Sequence, residues 1–292
     1  MARCFLIGGT ASLTQTLPVQ ALPVIENPRG ILAFDFDGTL HWPAHDPPVD
    51  PRLCRRIEEL REREGMIWGI CTGRSLMHLV EGMTGQLPFL PDFVVARERE
   101  IYFPGRFGRF VPDPDWNKRC EKDHKRLFKK VRKQLKEVRR YVEETALGRW
   151  VEVEGDLAGV VLPHEDEMEG LLAEVGRVCG TSPLLAYERN GVYLRFSHRA
   201  YSKGSALQEI ARRVSLGAEA VFPAGDNFND LSMLSSEVTA RPLCPQNAVE
   251  EVKAFVLQQG GVVGEGEASR GVLAALEEVF APVERPVPHP VK

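Results

Sequence analysis

Short apolar runs alternate along the chain with segments whose apolar residues recur every three or four positions. Residues 30–36 (GILAFDF) are such a run and predict a buried parallel strand. Residues 51–64 set Leu53, Ile57 and Leu60 among charges at helical spacing. Residues 66–71 (MIWGIC) read as a second buried strand, followed by Thr72-Gly73-Arg74-Ser75 and another helix, and residues 93–96 read as a third strand. This alternation predicts an α/β fold with a doubly wound parallel sheet.

The pattern changes near residue 98. Residues 101–103 and 108–111 are expected to pair as strands about Gly105, followed by one charged helix over 116–145 with Phe128, Val131, Leu135, Val138 and Val142 on one face. Strands over 150–153 and 159–162, a helix over 165–178, and strands over 184–188 and 192–197 come next. The turn Arg189-Asn190-Gly191 between the last two contains Asn-Gly, a strong hairpin signal. Residues 98–199 are therefore expected to form an inserted α+β domain. A helix over 203–214 and a strand over 220–223 resume the first pattern, which runs to about residue 281. The expected division is a leader at 1–29, a core from 30–97 and 200–281, the insert at 98–199, and a proline-rich, frayed tail at 282–292.

Composition adds limits. The 292 residues are 43% hydrophobic and 27% charged, enough to bury a core without disulfides. The net charge of −4 gives no global reason to expect nucleic acid or a membrane surface as partner. Residues 118–140 depart from that balance, with twelve Lys or Arg and three acids; the expectation is a solvated helix face. The cysteines (Cys4, Cys54, Cys71, Cys120, Cys179 and Cys244) include no CxxC pair and fit a reducing compartment. No apolar run reaches the ~20 residues that span a bilayer, so a cytoplasmic location is expected.

Four motifs carry candidate chemistry. Asp35-Phe36-Asp37-Gly38-Thr39 places two carboxylates at i and i+2 where a strand ends, and Gly38 permits a turn that exposes backbone N–H groups. Cys71-Thr72-Gly73-Arg74 offers a hydroxyl and amides after the second strand, though alone it fits a cap and turn as well. Lys203 sits at a helix start, against the helix dipole, which invites a function such as phosphate neutralisation. Gly225-Asp226-Asn227-Phe228-Asn229-Asp230 brings two acids that could converge on a hard cation, or cap the next helix.

In this order the motifs resemble the haloacid dehalogenase-like hydrolase superfamily, and the insert's position resembles the large cap of its Cof-type and sucrose-phosphate-phosphatase-like branch. Asn247-Ala248 with Val252-Lys253 resembles that branch's C-terminal pattern. The resemblance covers residues 30–280 and implies a Rossmann-like core beneath a cap, and a phosphomonoester hydrolase using Mg2+. It implies Asp35 as nucleophile, Asp37 as acid and base, Thr72 on the transferring phosphoryl group and Lys203 as the neutralising cation. Metal ligands would be Asp35, the Asp37 carbonyl, Asp226 and Asp230, while Gly38, Gly73, Arg74 and Asn229 would help bind phosphate. The substrate class it implies is a small phosphorylated metabolite, sugar phosphates foremost, with Glu188, Arg189 and Arg195 as candidate cap contacts. A phosphomutase of the same superfamily and a non-catalytic binding protein are the alternatives; the compact 225–230 loop and the intact acids and lysine speak against each in turn.

Overall fold

The computed structural model describes residues 24–152 and 159–281. The leader up to residue 23 and the tail from 282 lie outside the described residues. From its first strand the chain runs β1 (Gly30–Phe34), α1 (Pro51–Glu64), β2 (Met66–Cys71), α2 (Leu76–Met83) and β3 (Phe93–Ala96), then β4 (Glu100–Pro104) and β5 (Phe110–Pro112). Next come α3 (Pro114–Lys130), α4 (Arg132–Glu144), β6 (Arg149–Val151), β7 (Gly159–Val161), α5 (Met168–Cys179), β8 (Leu185–Asn190) and β9 (Tyr193–His198). The chain then continues through α6 (Lys203–Arg213), β10 (Val221–Ala224), α7 (Leu231–Leu234), β11 (Leu243–Pro245), α8 (Glu250–Gln258), β12 (Val262–Gly264) and α9 (Ser269–Val279).

Eight strands form one sheet in the order β12-β11-β10-β1-β2-β3-β4-β5, parallel from β12 to β3 and antiparallel beyond. Side chains alternate across it. Leu32, Phe34, Trp68 and Ile70 join α1, α2 and α9 in one buried layer. Ile31, Ala33, Ile67 and Cys71 join α6, α7 and α8 in the other. Burial on both faces is why these strands read as unbroken apolar runs. Asp50 and Asp113 cap α1 and α3, each followed by a proline whose missing N–H costs a helix nothing there.

The insert carries its own antiparallel sheet, β6-β7-β9-β8, packed against α4 and α5 through a third core that includes Leu135, Val138, Val160, Leu171 and Phe196. On β9, Leu194 and Phe196 face those helices, while Tyr193 and Arg195 lie on the alternate face.

Three expectations are corrected. The strands expected within the insert at 101–103 and 108–111 belong to the core sheet: β4 pairs with β3 through Ala96↔Glu100, so the insert does not begin at residue 98. Even the first turns of α3 pack with the core, through Trp116 and Cys120. The single helix expected over 116–145 is two, broken at Val131 (φ −91°, ψ 11°). The hairpin turn is also displaced: Asn190 pairs with Tyr193, leaving Gly191-Val192 as the two-residue connection, with Gly191 at φ +52°. Among the described residues no helix is long and apolar enough to cross a membrane.

Candidate active site

The motifs converge because β10, β1 and β2 are neighbours and their carboxyl ends point the same way. Asp35 follows β1, Thr72 follows β2, and Gly225-Asp226 follows β10. This is where open α/β sheets bind ligands. A cavity of about 390 Å³ opens above them, lined from the core by Asp35, Asp37, Thr72, Gly73 and Arg74 and from the insert by Glu188, Tyr193 and Arg195 among others.

Lys203 is the centre of the arrangement. It lies wholly buried at the first position of α6. Its ammonium donates to Asp35 Oδ1 at 2.7 Å and Asp230 Oδ1 at 2.6 Å, and Glu98 Oε2 lies 3.7 Å away. Burial works against its charge, yet Asp230, Asp35 and Glu98 together outweigh burial and hold it well above the ordinary lysine range. Asp230 has a second task. Its Oδ2 accepts from the backbone N–H of Asp226 and of Asn227, at 2.9 and 3.0 Å, and so folds the 225–230 loop back on itself.

Asp226 is placed by its neighbours. Thr39 Oγ1 donates to its Oδ1 at 2.7 Å. Gly38, at φ +80°, passes so close that a Cβ there would stand 2.4 Å from Asp226 Oδ2, and its carbonyl accepts from Asn247 Nδ2 at 2.8 Å. No other residue type fits that position. Thr39 and Asn247 both lie in motifs quoted from the sequence, but nothing in the sequence marks either as a site residue.

Oxygens of Asp35, Asp226 and Asp230 lie within 4.8 Å of one another. Burial raises Asp35 well above the usual carboxylate range, with Asp230 and Asp226 adding to it against Lys203. Burial and Asp230 push Asp226 up to about 7. With Glu98, four carboxylates gather here: Asp35, Asp230 and Glu98 about the Lys203 ammonium, and Asp226 beside Asp35 and Asp230. That excess, drawn from oxygen donors alone, suits a hard divalent cation such as Mg2+.

Asp37 differs from Asp35. Its side chain is half exposed at the cavity mouth, and Arg74 grips it in a fork, Nε to Oδ2 at 2.7 Å and Nη2 to Oδ1 at 2.6 Å. The Arg74 guanidinium also lies over the Phe36 ring. Thr72 is buried, its Oγ1 accepting from the Arg74 N–H at 3.1 Å. Asn229, expected to help bind phosphate, is buried and donates to Glu98 Oε1 at 3.1 Å.

From the insert, Arg195 donates to the Gly73 carbonyl at 3.2 Å, and the Arg189 guanidinium sits 4.4 Å from the Phe228 ring centroid. Both tie β8 and β9 to core loops. Glu188 lies on the cavity wall, and burial, with Glu98 adding, pushes its carboxyl up to about 8.

The fold is shared with solved structures of low sequence identity. The sucrose-phosphatase of Synechocystis sp. PCC6803, solved with sucrose and phosphate, superposes with a TM-score of 0.65 at 18% identity, over 86% of this chain and 98% of that one. The haloacid dehalogenase-like hydrolase protein yhjK of Bacillus subtilis gives 0.61 at 17%, over 90% and 95%. SMU.1108c of Streptococcus mutans gives 0.57 at 17%, over 87% and 99%. The family model described as haloacid dehalogenase-like hydrolase matches residues 159–272. A curated Streptococcus pyogenes serotype M6 protein, "Putative phosphatase M6_Spy0533", is 38% identical over 61 residues, a stretch covering 21% of this chain and 22% of that protein's length. The chain therefore shares its fold with these structures, and residues 159–272 are similar to the haloacid dehalogenase-like hydrolase family. Its architecture sets a four-stranded antiparallel sheet beside the largely parallel eight-stranded one.

Proposed function

We propose that this chain is a magnesium-dependent phosphomonoester hydrolase that works through an aspartyl-phosphate on Asp35, with sugar phosphates or similar small metabolites as substrates. The observation that carries it is the Lys203–Asp35 contact at the cavity floor: the lysine occupies Oδ1 and leaves Oδ2 for attack. A magnesium ion held by Asp35, Asp226 and Asp230 would neutralise phosphoryl oxygens against these carboxylates.

Asp35 Oδ2 attacks phosphorus, and the bond from phosphorus to the ester oxygen breaks. Asp37 delivers a proton to that leaving oxygen, then takes one from water, which attacks phosphorus and frees Asp35. Each Asp37 oxygen accepts one bond from the Arg74 fork and keeps a second lone pair on which a proton can be carried. Thr72 lines the cavity where its hydroxyl can meet a phosphoryl oxygen. The Synechocystis neighbour's sucrose and phosphate favour a sugar phosphate over a nucleotide.

The test is phosphate release from a panel of phosphomonoesters in magnesium, with and without chelator. Asp35→Asn should lower kcat about a thousandfold or more, and chelation should abolish turnover. A folded Asp35→Asn protein that turns over like the parent sinks the mechanism.

A further inference from the structure

Glu98 takes no part in the chemistry proposed for Asp35 and Asp37, and nothing in its sequence context marks it. It follows β3 in the run Ala96-Arg97-Glu98-Arg99, where charged residues read as a solvated turn. The structure buries it, with 4% of its surface exposed. Arg97 and Glu98 also sit in succession at φ +50° and +68°. Non-glycine residues rarely enter this region, and two in a row need a surrounding structure that enforces them.

That enforcement comes from the second motif. The Glu98 N–H donates to the Thr72 carbonyl at 2.9 Å and the Arg97 N–H to the Arg74 carbonyl at 2.8 Å, while the Thr72 N–H donates to the Val95 carbonyl at 2.8 Å. The side chain then reaches three motif loops at once. Oε1 accepts from Asn229 of the 225–230 loop. A Cβ on Gly73 would stand 2.5 Å from that same oxygen. Oε2 is buried without a hydrogen bond and lies 3.7 Å from the Lys203 ammonium.

An ammonium has three N–H donors. Asp35 and Asp230 take two of those on Lys203, and Glu98 Oε2 is the remaining carboxylate oxygen beside it. We propose that Glu98 is a positioning residue for phosphoryl transfer: it holds the Lys203 ammonium in place and locks the Thr72–Arg74 and 225–230 loops to each other around the phosphoryl pocket. This rests on the phosphohydrolase reading. When Asp35 becomes an acyl phosphate, its oxygen facing Lys203 turns from carboxylate to carbonyl and binds the ammonium less strongly. Glu98 supplies a lasting negative partner on the same donor group, so Lys203 stays aimed through both half-reactions.

The test is Glu98→Gln, which keeps the shape and the acceptor for Asn229 but removes the charge. With 4-nitrophenyl phosphate, kcat should fall roughly ten- to a hundredfold, as for groups that orient a site from behind, with KM within about threefold. The Lys203 ammonium should report the change directly: its nitrogen-15 signal should shift and its protons exchange faster with water. If Glu98→Gln folds poorly, Glu98→Asp keeps the charge one methylene back and should retain most of the turnover. A kcat within twofold of the parent overturns the proposal, as does abolished turnover with the Lys203 signal unmoved. A moved signal in a protein that hydrolyses no phosphomonoester upholds the positioning and refutes the phosphohydrolase reading.

Discussion

A buried lysine is costly unless carboxylates surround it, and Lys203 is legible in sequence only through its company. Its place at a helix start hints at function, but its wholly buried state and its bond to Asp230 need the fold. Asp35, Thr72, Lys203 and Asp226 are legible because each lies at the end of an element whose apolar pattern is clear. Glu98 is not, since an acid between two arginines looks the same whether it faces water or Lys203. Glu188, by contrast, is among the cap contacts expected from the sequence, and its environment makes a prediction. Its folded carboxyl titrates near 8, above its ordinary 4.5. A group raised in the folded state stabilises folding at low pH and loses that contribution as pH rises through the folded value. Glu188→Gln does not titrate. Its Tm relative to the parent should therefore rise from about pH 4.5 and level off above about pH 8. A difference in Tm that stays flat with pH would show that Glu188 is solvated.

At the scale of elements, buried strands are legible and chain reversals are not. β1, β2 and β3 appear in sequence as apolar runs because both faces are covered. The reversal from β3 to β4 is made by Arg97 and Glu98 at positive φ, without the glycine or asparagine that usually announces one. That is why the strands after it read as part of the insert. The break between α3 and α4 at Val131 is likewise unmarked, because Val131 itself is buried and continues the apolar stripe. The start of α6, by contrast, is well specified: Ser202 accepts from the Ser205 N–H, and the Ser205 hydroxyl accepts in return from the Ser202 N–H. Lys203 is the next residue, so this cap sets the origin of its side chain. Ser202→Ala should cost about 1 kcal/mol in urea unfolding. It should also lower kcat by more than that loss of stability explains, because it frees the backbone that aims Lys203. A variant less stable by that amount but with unchanged kcat would separate the cap from the site.

At the scale of the whole molecule, the proposed function divides chemistry from recognition. The proposed nucleophile, acid and carboxylate cluster follow the carboxyl ends of the central strands β1 and β10, and the proposed cation opens α6. None of these is placed to read the part of a substrate beyond its phosphate. The insert's antiparallel sheet roofs the same cavity, and its exposed face presents Glu188, Asn190, Tyr193 and Arg195. Of these, Asn190 and Tyr193 pair across the hairpin end and are exposed, so truncating them should leave the fold intact. Asn190→Ala and Tyr193→Ala should change the ratio of kcat/KM between two bulky phosphomonoesters by roughly tenfold for each strong interaction with the leaving group that the truncation removes. On 4-nitrophenyl phosphate, whose leaving group is small and carries no hydroxyls for the hairpin to read, the same variants should stay within about threefold. If instead both variants slow every ester alike, the hairpin governs closure over the site. Discrimination would then have to come from the core, where Arg74, and His78 of α2, also line the cavity.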